Sequence, residues 1–287
     1  MGTPAFYSVR EFGTWWGMTS DTKLEQRIRT RVGRAIQDFE LISDGDRILV
    51  CLSGGKDSST MLTMLQDLKR RAPVNFELIA FHLDQKQPGY PAGVMTDYLA
   101  DQDVSFEVIE EDTYSVVKEK LDPGATPCSL CSRLRRGIIY SHAEKHNCNV
   151  IALGHHRDDS IETLLLNMFH TGQLQGMPAA YQTDDGRFRV IRPLIYVAES
   201  DIVTFAEHRG YPIIPCNLCG SIQGQRSFVK SLINTLEEDI PHVRQSMLAA
   251  MSNVRRTHLL DPSLAALASD EQTKPKRGVE LSRFHEL

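Results

Sequence analysis

Residues 53–58, Ser-Gly-Gly-Lys-Asp-Ser, constrain the fold more than any other stretch of this chain. Before them Ile48, Leu49, Val50, Cys51 and Leu52 form a short apolar run, which reads as a buried strand. After them residues 58–71 place apolar side chains at helical spacing, so the hexapeptide is a strand-to-helix turn. Anions bind in such a place. Gly54 and Gly55 allow the backbone to approach a ligand without an obstructing Cβ, and the first N–H groups of the following helix have no acceptor within it. A Walker A loop is excluded, because the glycines here are adjacent and an acid, Asp57, follows Lys56.

The strands and helices that follow alternate. Residues 76–84 and 105–109 read as further buried strands with helical material at 91–101 between them, and residues 149–154 and 187–191 as two more. Helices are expected over 21–42, 198–209, 225–238 and 242–258, the last two separated by Pro241. The alternation predicts an α/β fold, a Rossmann-like parallel sheet flanked by helices. Four segments are expected. Residues 1–42 form an arm and an amphipathic helix, 43–220 the nucleotide-loop domain with the cysteine pairs, 221–261 the terminal helices, and 262–287 a flexible tail.

Two strand ends carry polar groups where open α/β sheets bind ligands. Asp84 closes the second strand and is a candidate nucleotide contact, whereas His82 reads as packing. The strand ending at Gly154 runs into His155, His156, Arg157, Asp158 and Asp159, with Glu162 close behind. Helix capping accounts for one or two of these groups. Two histidines, two aspartates and a glutamate within eight positions at one strand edge point instead to a catalytic or Mg²⁺-associated role for Asp158 and Asp159.

Four of the six cysteines form two Cys-x-x-Cys pairs, Cys128/Cys131 and Cys216/Cys219, separated by 84 residues. Paired thiolates suit Zn²⁺ or an iron–sulfur cluster, and the long separation weakens the reading as a zinc ribbon without excluding it. Cys51 reads as core and Cys148 as incidental. Arg133, Arg135 and Arg136 follow the first pair, either as a solvated helix face or as contacts to RNA phosphates; the arginines at 27, 29, 31 and 34 read as a solvated face that RNA could also meet. A net charge of -5 gives no support to binding dominated by overall electrostatics. No apolar run approaches the ~20 residues of a membrane span and no secretory leader is visible, so the expected setting is the cytoplasm without a membrane.

The hexapeptide resembles the pyrophosphate loop of the N-type ATP pyrophosphatases, of the adenine nucleotide alpha hydrolase-like class, which split ATP between its α and β phosphates. Together with Cys-Ser-Leu-Cys-Ser-Arg-Leu-Arg-Arg-Gly, Gly-His-His-Arg-Asp-Asp, Ile-Arg-Pro-Leu and Pro-Cys-Asn-Leu-Cys-Gly-Ser, it resembles the tRNA cytidine 2-sulfurtransferase family over roughly residues 22–260. The resemblance implies that Ser53, Gly54, Gly55 and Ser58 hold pyrophosphate, that Lys56 neutralises phosphate charge, and that Asp57 helps hold Mg²⁺. Gly154 and His155 fall in the second signature of tRNA thiolases. It further implies ATP, a [4Fe-4S] cluster on Cys128, Cys131 and one of Cys219 or Cys216, with Cys219 preferred, and action on cytidine 32 in the anticodon stem-loop of tRNA. A sulfur donor such as a cysteine desulfurase and a homodimer are implied as partners. The chain departs from the family pattern at Ala179-Ala180 and at 222–224, which bears on RNA contacts rather than on reaction class. Two other readings fit the motifs: an amidating or lysine-ligating enzyme with structural zinc, and a non-catalytic, ATP-responsive RNA-binding protein.

Overall fold

The computed structural model describes residues 23–121, 127–214 and 224–263, with residues 127–129 described by backbone alone. The arm at 1–20, the second cysteine pair and most of the tail lie outside the described residues. By internal contacts the chain divides into two units, residues 1–157 with 178–223, and residues 158–177 with 224–287.

The first unit is built on a six-stranded sheet. In chain order its elements are α1 (Lys23–Asp38), β1 (Arg47–Leu52), α2 (Lys56–Arg71), β2 (Glu77–Asp84), α3 (Val94–Ala100), β3 (Ser105–Glu110), α4 (Thr113–Lys120), α5 (Pro127–Lys145) and β4 (Val150–Ala152). Then come α6 (Arg157–His170), whose body belongs to the second unit, β5 (Ala180–Gln182), β6 (Arg189–Ile191) and α7 (Glu199–Arg209). The strand order is β3-β2-β1-β4-β6-β5, parallel throughout except for the antiparallel edge strand β5. Chain direction across the sheet therefore reverses at β1, with β2 on one side and β4 on the other. The crevice beyond the carboxyl ends of β1 and β4 is the topological switch point, the usual ligand position in such sheets.

Ile48, Leu49 and Val50 are fully buried, each contributing roughly 1.5–3 kcal/mol by the area it removes from water. Leu49 packs with Ile79, Phe81, Ile151 and Val190 beneath Ile138, Ile139 and Ala143 of α5. By the two-residue period, Ile48 and Val50 face the other side of the sheet. Helix α2 packs against β1 and β2, with α1 and α7 against it in turn. Three arginines of α1 pair with acids on the helices packed against it. Arg27 and Arg31 each reach Asp201 of α7 at 2.6 Å, and Arg29 pairs with Asp67 of α2.

The second unit joins the body of α6 to α8 (Gly224–Asp239) and α9 (Val243–Ser252). Its core is Ile161, Leu165, Val229 and Ile233, with Leu166, Met247 and Met251 against them. The helix expected to run to residue 258 stops at Ser252; Asn253 follows, whose side chain competes with helical hydrogen bonding, and residues Arg256–His258 form one 3-10 turn.

Candidate active site

The nucleotide loop joins β1 to α2 at the switch point. Gly54 adopts φ +80°, a conformation that side-chain-bearing residues rarely take. A Cβ on it would lie 2.8 Å from Cδ1 of Ile214, whose N–H donates to the Gly54 carbonyl at 2.9 Å. The two serines brace the turn. Ser53 N–H donates to Ser58 Oγ at 3.1 Å, and Ser58 Oγ donates to the Gly55 carbonyl at 3.0 Å. Gly55 is the N-cap of α2 and brings no side chain to its first turn, so the N–H groups there keep their positive potential for an anion. Gly154, just past β4, lies so close that a Cβ would sit 3.0 Å from both N and Cα of Ser58. The cradle is therefore closed by backbone on the β4 side, which fits a polyphosphate.

Charge is balanced around it. Lys56 Nζ lies 3.0 Å from Asp57 Oδ1 and 3.3 Å from Glu199 Oε1. Burial works against the Lys56 charge, but Asp57 and Glu199 outweigh it and hold Lys56 above its ordinary pKa. Asp57 Oδ1 is buried, 3.6 Å from His156 Nε2, and accepts no well-aligned hydrogen bond. An oxygen so placed fits a divalent cation bridging to phosphate. His155 is half-buried in the same turn. Glu199 and His156 complete this charge set; Glu199 comes from a helix far along the chain and no local pattern marks it.

At the end of β2, Asp84 is buried and accepts the Lys86 N–H at 2.7 Å, so its carboxylate shapes the turn that leaves the strand. His82 is buried between the Leu52 carbonyl, 2.9 Å from Nδ1, and the Tyr90 hydroxyl; burial lowers its pKa, consistent with a neutral packing group. Asp158 and Asp159 lie in the second unit. Asp158 Oδ1 is 2.8 Å from the Arg244 guanidinium and Asp159 Oδ1 is 2.9 Å from Arg226, so both carboxylates anchor α6 to its helical neighbours.

Cys131 lies on α5, one turn after Cys128, where i and i+3 positions share a helix face. Its Sγ is 3.3 Å from Oε1 of Gln85, the first residue after β2, and Arg135 Nη2 reaches the sulfur at 3.6 Å. Since Leu52 of β1 pairs with His82 of β2, the thiol and the nucleotide loop stand beyond the carboxyl ends of adjacent parallel strands. Such strands are about 4.8 Å apart. The side chain of Cys128 and the whole of Cys216 and Cys219 fall outside the described residues, but Ile214, two positions before Cys216, is bonded to the loop itself. The nucleotide turn with Lys56 and Asp57, and the Cys131 thiol at the end of the neighbouring strand, thus lie at the same edge of the sheet.

A PP-loop domain model matches residues 24–215. A tRNA-cytidine(32) 2-sulfurtransferase of Marinobacter nauticus is 54% identical over 243 residues, covering 84% of this chain and 80% of that protein. The enzyme of the same name from Erwinia tasmaniensis is 52% identical over 249 residues, 86% of this chain and 81% of that protein. Among solved structures, the U34-tRNA thiolase NcsA from Methanococcus maripaludis, with its [4Fe-4S] cluster, superposes with a TM-score of 0.63 over 92% of this chain and 87% of that chain. At 19% identity that likeness bears on the fold.

Proposed function

Because this chain belongs to the PP-loop domain family and, within it, to the tRNA-cytidine(32) 2-sulfurtransferases, we propose that it is an ATP-dependent tRNA thiolase that converts cytidine 32 to 2-thiocytidine. The observation that carries the reading is the meeting, at one sheet edge, of the nucleotide turn, the Cys131 thiol and the segment leading to Cys216. An amidating or lysine-ligating enzyme, or a non-catalytic binder, is not favoured by the relatives.

The chemistry has two displacements. The C2 oxygen of cytosine attacks the α-phosphorus of ATP, the bond to pyrophosphate breaks, and an O-adenylated base forms. A sulfur nucleophile then attacks C2, the C2–O bond breaks, and AMP leaves. In the first step the turn of Ser53, Gly54, Gly55 and Ser58 directs backbone N–H groups at the departing pyrophosphate, and Lys56 offsets its charge. Asp57 is the residue to hold Mg²⁺, and Gly154 with His155 walls the phosphate site. Asp84 supports the site by shaping the turn that leaves β2, and Asp158 and Asp159, read from sequence as catalytic or Mg²⁺-associated, pair with Arg244 and Arg226 within the second unit. A [4Fe-4S] cluster held by Cys128, Cys131 and Cys219, or Cys216 in its place, supplies a thiolate-anchored iron site for sulfur when bound. Arg135 donating to the Cys131 sulfur at 3.6 Å sets positive charge beside the position that a ligating sulfur would take, which fits that ligation.

The tRNA enters as substrate through its anticodon stem-loop. A cysteine desulfurase supplies the sulfur, two copies of the chain associate, and the setting is cytoplasmic; among the described residues no helix is long and apolar enough to cross a membrane. The test is anaerobic reconstitution with transcript tRNA, measuring pyrophosphate release and 2-thiocytidine by nucleoside mass spectrometry. Asp57→Ala is expected to abolish tRNA-dependent pyrophosphate release while leaving iron and sulfide content intact. Cys131→Ala is expected to lose the iron but keep ATP binding. Normal thiolation by the cysteine variant refutes the cluster's part in the reaction.

A further inference from the structure

The far end of α5 carries a second constellation that the thiolation chemistry does not use. His142 and His146 are one helical turn apart, the His146 N–H still donating to the His142 carbonyl at 3.1 Å. Facing them, β3 presents Glu107, 3% exposed. Both imidazoles converge on one carboxylate oxygen: His142 Nδ1 lies 2.8 Å and His146 Nε2 2.6 Å from Glu107 Oε2. All three ligand atoms lie within 4.8 Å of one another. His142 is eleven positions from Cys131 on the same helix, roughly 16 Å along its axis, so this cluster is separate from the thiolate site.

We propose that Glu107, His142 and His146 form a binding site for a divalent transition metal of the zinc class, tying β3 to α5. Histidines at i and i+4 project from one helix face, and the helix lies where both reach a single carboxylate. Two imidazole nitrogens and one carboxylate oxygen are a borderline donor set that suits Zn²⁺, whereas Mg²⁺ and Ca²⁺ select oxygen ligands. Each ring shifts its proton to the nitrogen facing away, so that Nδ1 of His142 and Nε2 of His146 present lone pairs. The other oxygen, Glu107 Oε1, accepts from Lys145 Nζ at 2.5 Å. The ammonium held there opposes the charge of a dication at the site. The side chains of His142 and Lys145 are 19% and 38% exposed, which leaves a solvent-facing side for a water as the fourth ligand.

The experiment uses cluster-loaded enzyme, so that the cysteine thiolates are occupied, dialysed against micromolar zinc chloride. Metal analysis is expected to find one zinc per chain that His142→Ala weakens at least tenfold. Zinc-edge X-ray absorption is expected to show nitrogen and oxygen neighbours at about 2.0 Å, with imidazole scattering and no sulfur shell near about 2.3 Å. Lys145→Ala, a surface change that leaves the donors intact, should tighten zinc roughly tenfold by removing the opposing charge. Equal zinc uptake by wild type and His142→Ala, a sulfur shell, no uptake by wild type, or an affinity indifferent to Lys145 would each overturn the assignment. Should His142→Ala fail to fold, the wild-type spectrum and the Lys145 variant decide it.

Discussion

Replacing Gly54 by alanine perturbs the nucleotide loop in two separable ways. The backbone φ of +80° costs a residue with a Cβ about 1–2 kcal/mol. The new methyl would also lie 2.8 Å from Cδ1, 3.1 Å from Cβ and 3.2 Å from Cγ1 of Ile214. Ile214 is 7% exposed and its N–H is bonded to the Gly54 carbonyl, so the side chain cannot simply swing out. Overpacking of that kind costs about 1–3 kcal/mol, for a total of roughly 2–5 kcal/mol. Ile214→Ala alone should cost about 2–5 kcal/mol through the cavity it leaves. In the double variant the contacts to Cδ1 and Cγ1 disappear and the added methyl partly fills the cavity, while the 3.1 Å approach to the remaining Cβ and the φ strain stay. The pair should therefore be more stable than the sum of the single effects by about 1–3 kcal/mol. Urea unfolding of the four proteins measures this coupling, and tRNA-dependent pyrophosphate release measures its effect on the site. Gly54→Ala is expected to lower kcat/KM for ATP by about 10- to 100-fold, with partial recovery in the double variant. Additivity to within about 0.5 kcal/mol would refute the claim that Ile214 packs against the loop as a wall.

Arg244→Met should destabilise the second unit by about 3–5 kcal/mol, seen by chemical denaturation, because it leaves the buried Asp158 carboxylate without its guanidinium. The thiols of Cys51 and Cys148 are pushed up by burial, to about 12 and about 11. At pH 8 their thiolate fractions are on the order of one in a thousand or less. In native, iron-stripped protein these two should resist iodoacetamide, with labelling that rises about tenfold per pH unit from 8 towards 11 when followed by mass spectrometry.

The first three strands were legible almost to the residue. Residues 76–84 and 105–109 were expected and Glu77–Asp84 and Ser105–Glu110 form, because strands buried in a parallel sheet appear as continuous apolar runs between polar breaks. Strand β5 was not. Its three residues, Ala180–Gln182, are too few to show alternation, and it exists by pairing with β6. The long helix α5 escaped notice for a different reason. Its first half mixes cysteine, serine and arginine with only Leu130 and Leu134 as large apolar residues, and the face that packs on the sheet comes later, at Ile138, Ile139 and Ala143. Charged residues showed the sharpest limit. The type of Arg31 or Asp158 is local information, but their partners, Asp201 and Arg244, lie 170 and 86 positions away. A solvated or RNA-facing stripe on α1 was therefore reasonable from sequence, while the folded chain pairs Arg27, Arg29 and Arg31 with Asp201 and Asp67.

Gln85 shows how the sheet edge can tune the sulfur site. With Cys131 as a neutral thiol, Sγ–H donates to Gln85 Oε1 at 3.3 Å, and the same oxygen accepts from Thr113 Oγ at 3.3 Å. A thiolate cannot donate, so the proposed ligation to iron would remove this bond. An amide adapts by turning its NH₂ group towards the sulfur, exchanging an acceptor for a donor at nearly the same position. A carboxylate has no such option and sets negative charge against negative charge. Gln85→Glu should therefore lower the iron and sulfide retained after anaerobic desalting by about tenfold or more, since two unit charges about 4 Å apart repel by up to about 4 kcal/mol at an effective dielectric near 20. Gln85→Ala, which removes both the donor and the acceptor, should retain most of its iron, and ATP binding should be unchanged in either variant. Equal iron retention by Gln85→Glu and wild type would mean that the Cys131 sulfur leaves the end of β2 when it takes up iron, and the adjacency of thiol and nucleotide loop would lose its significance.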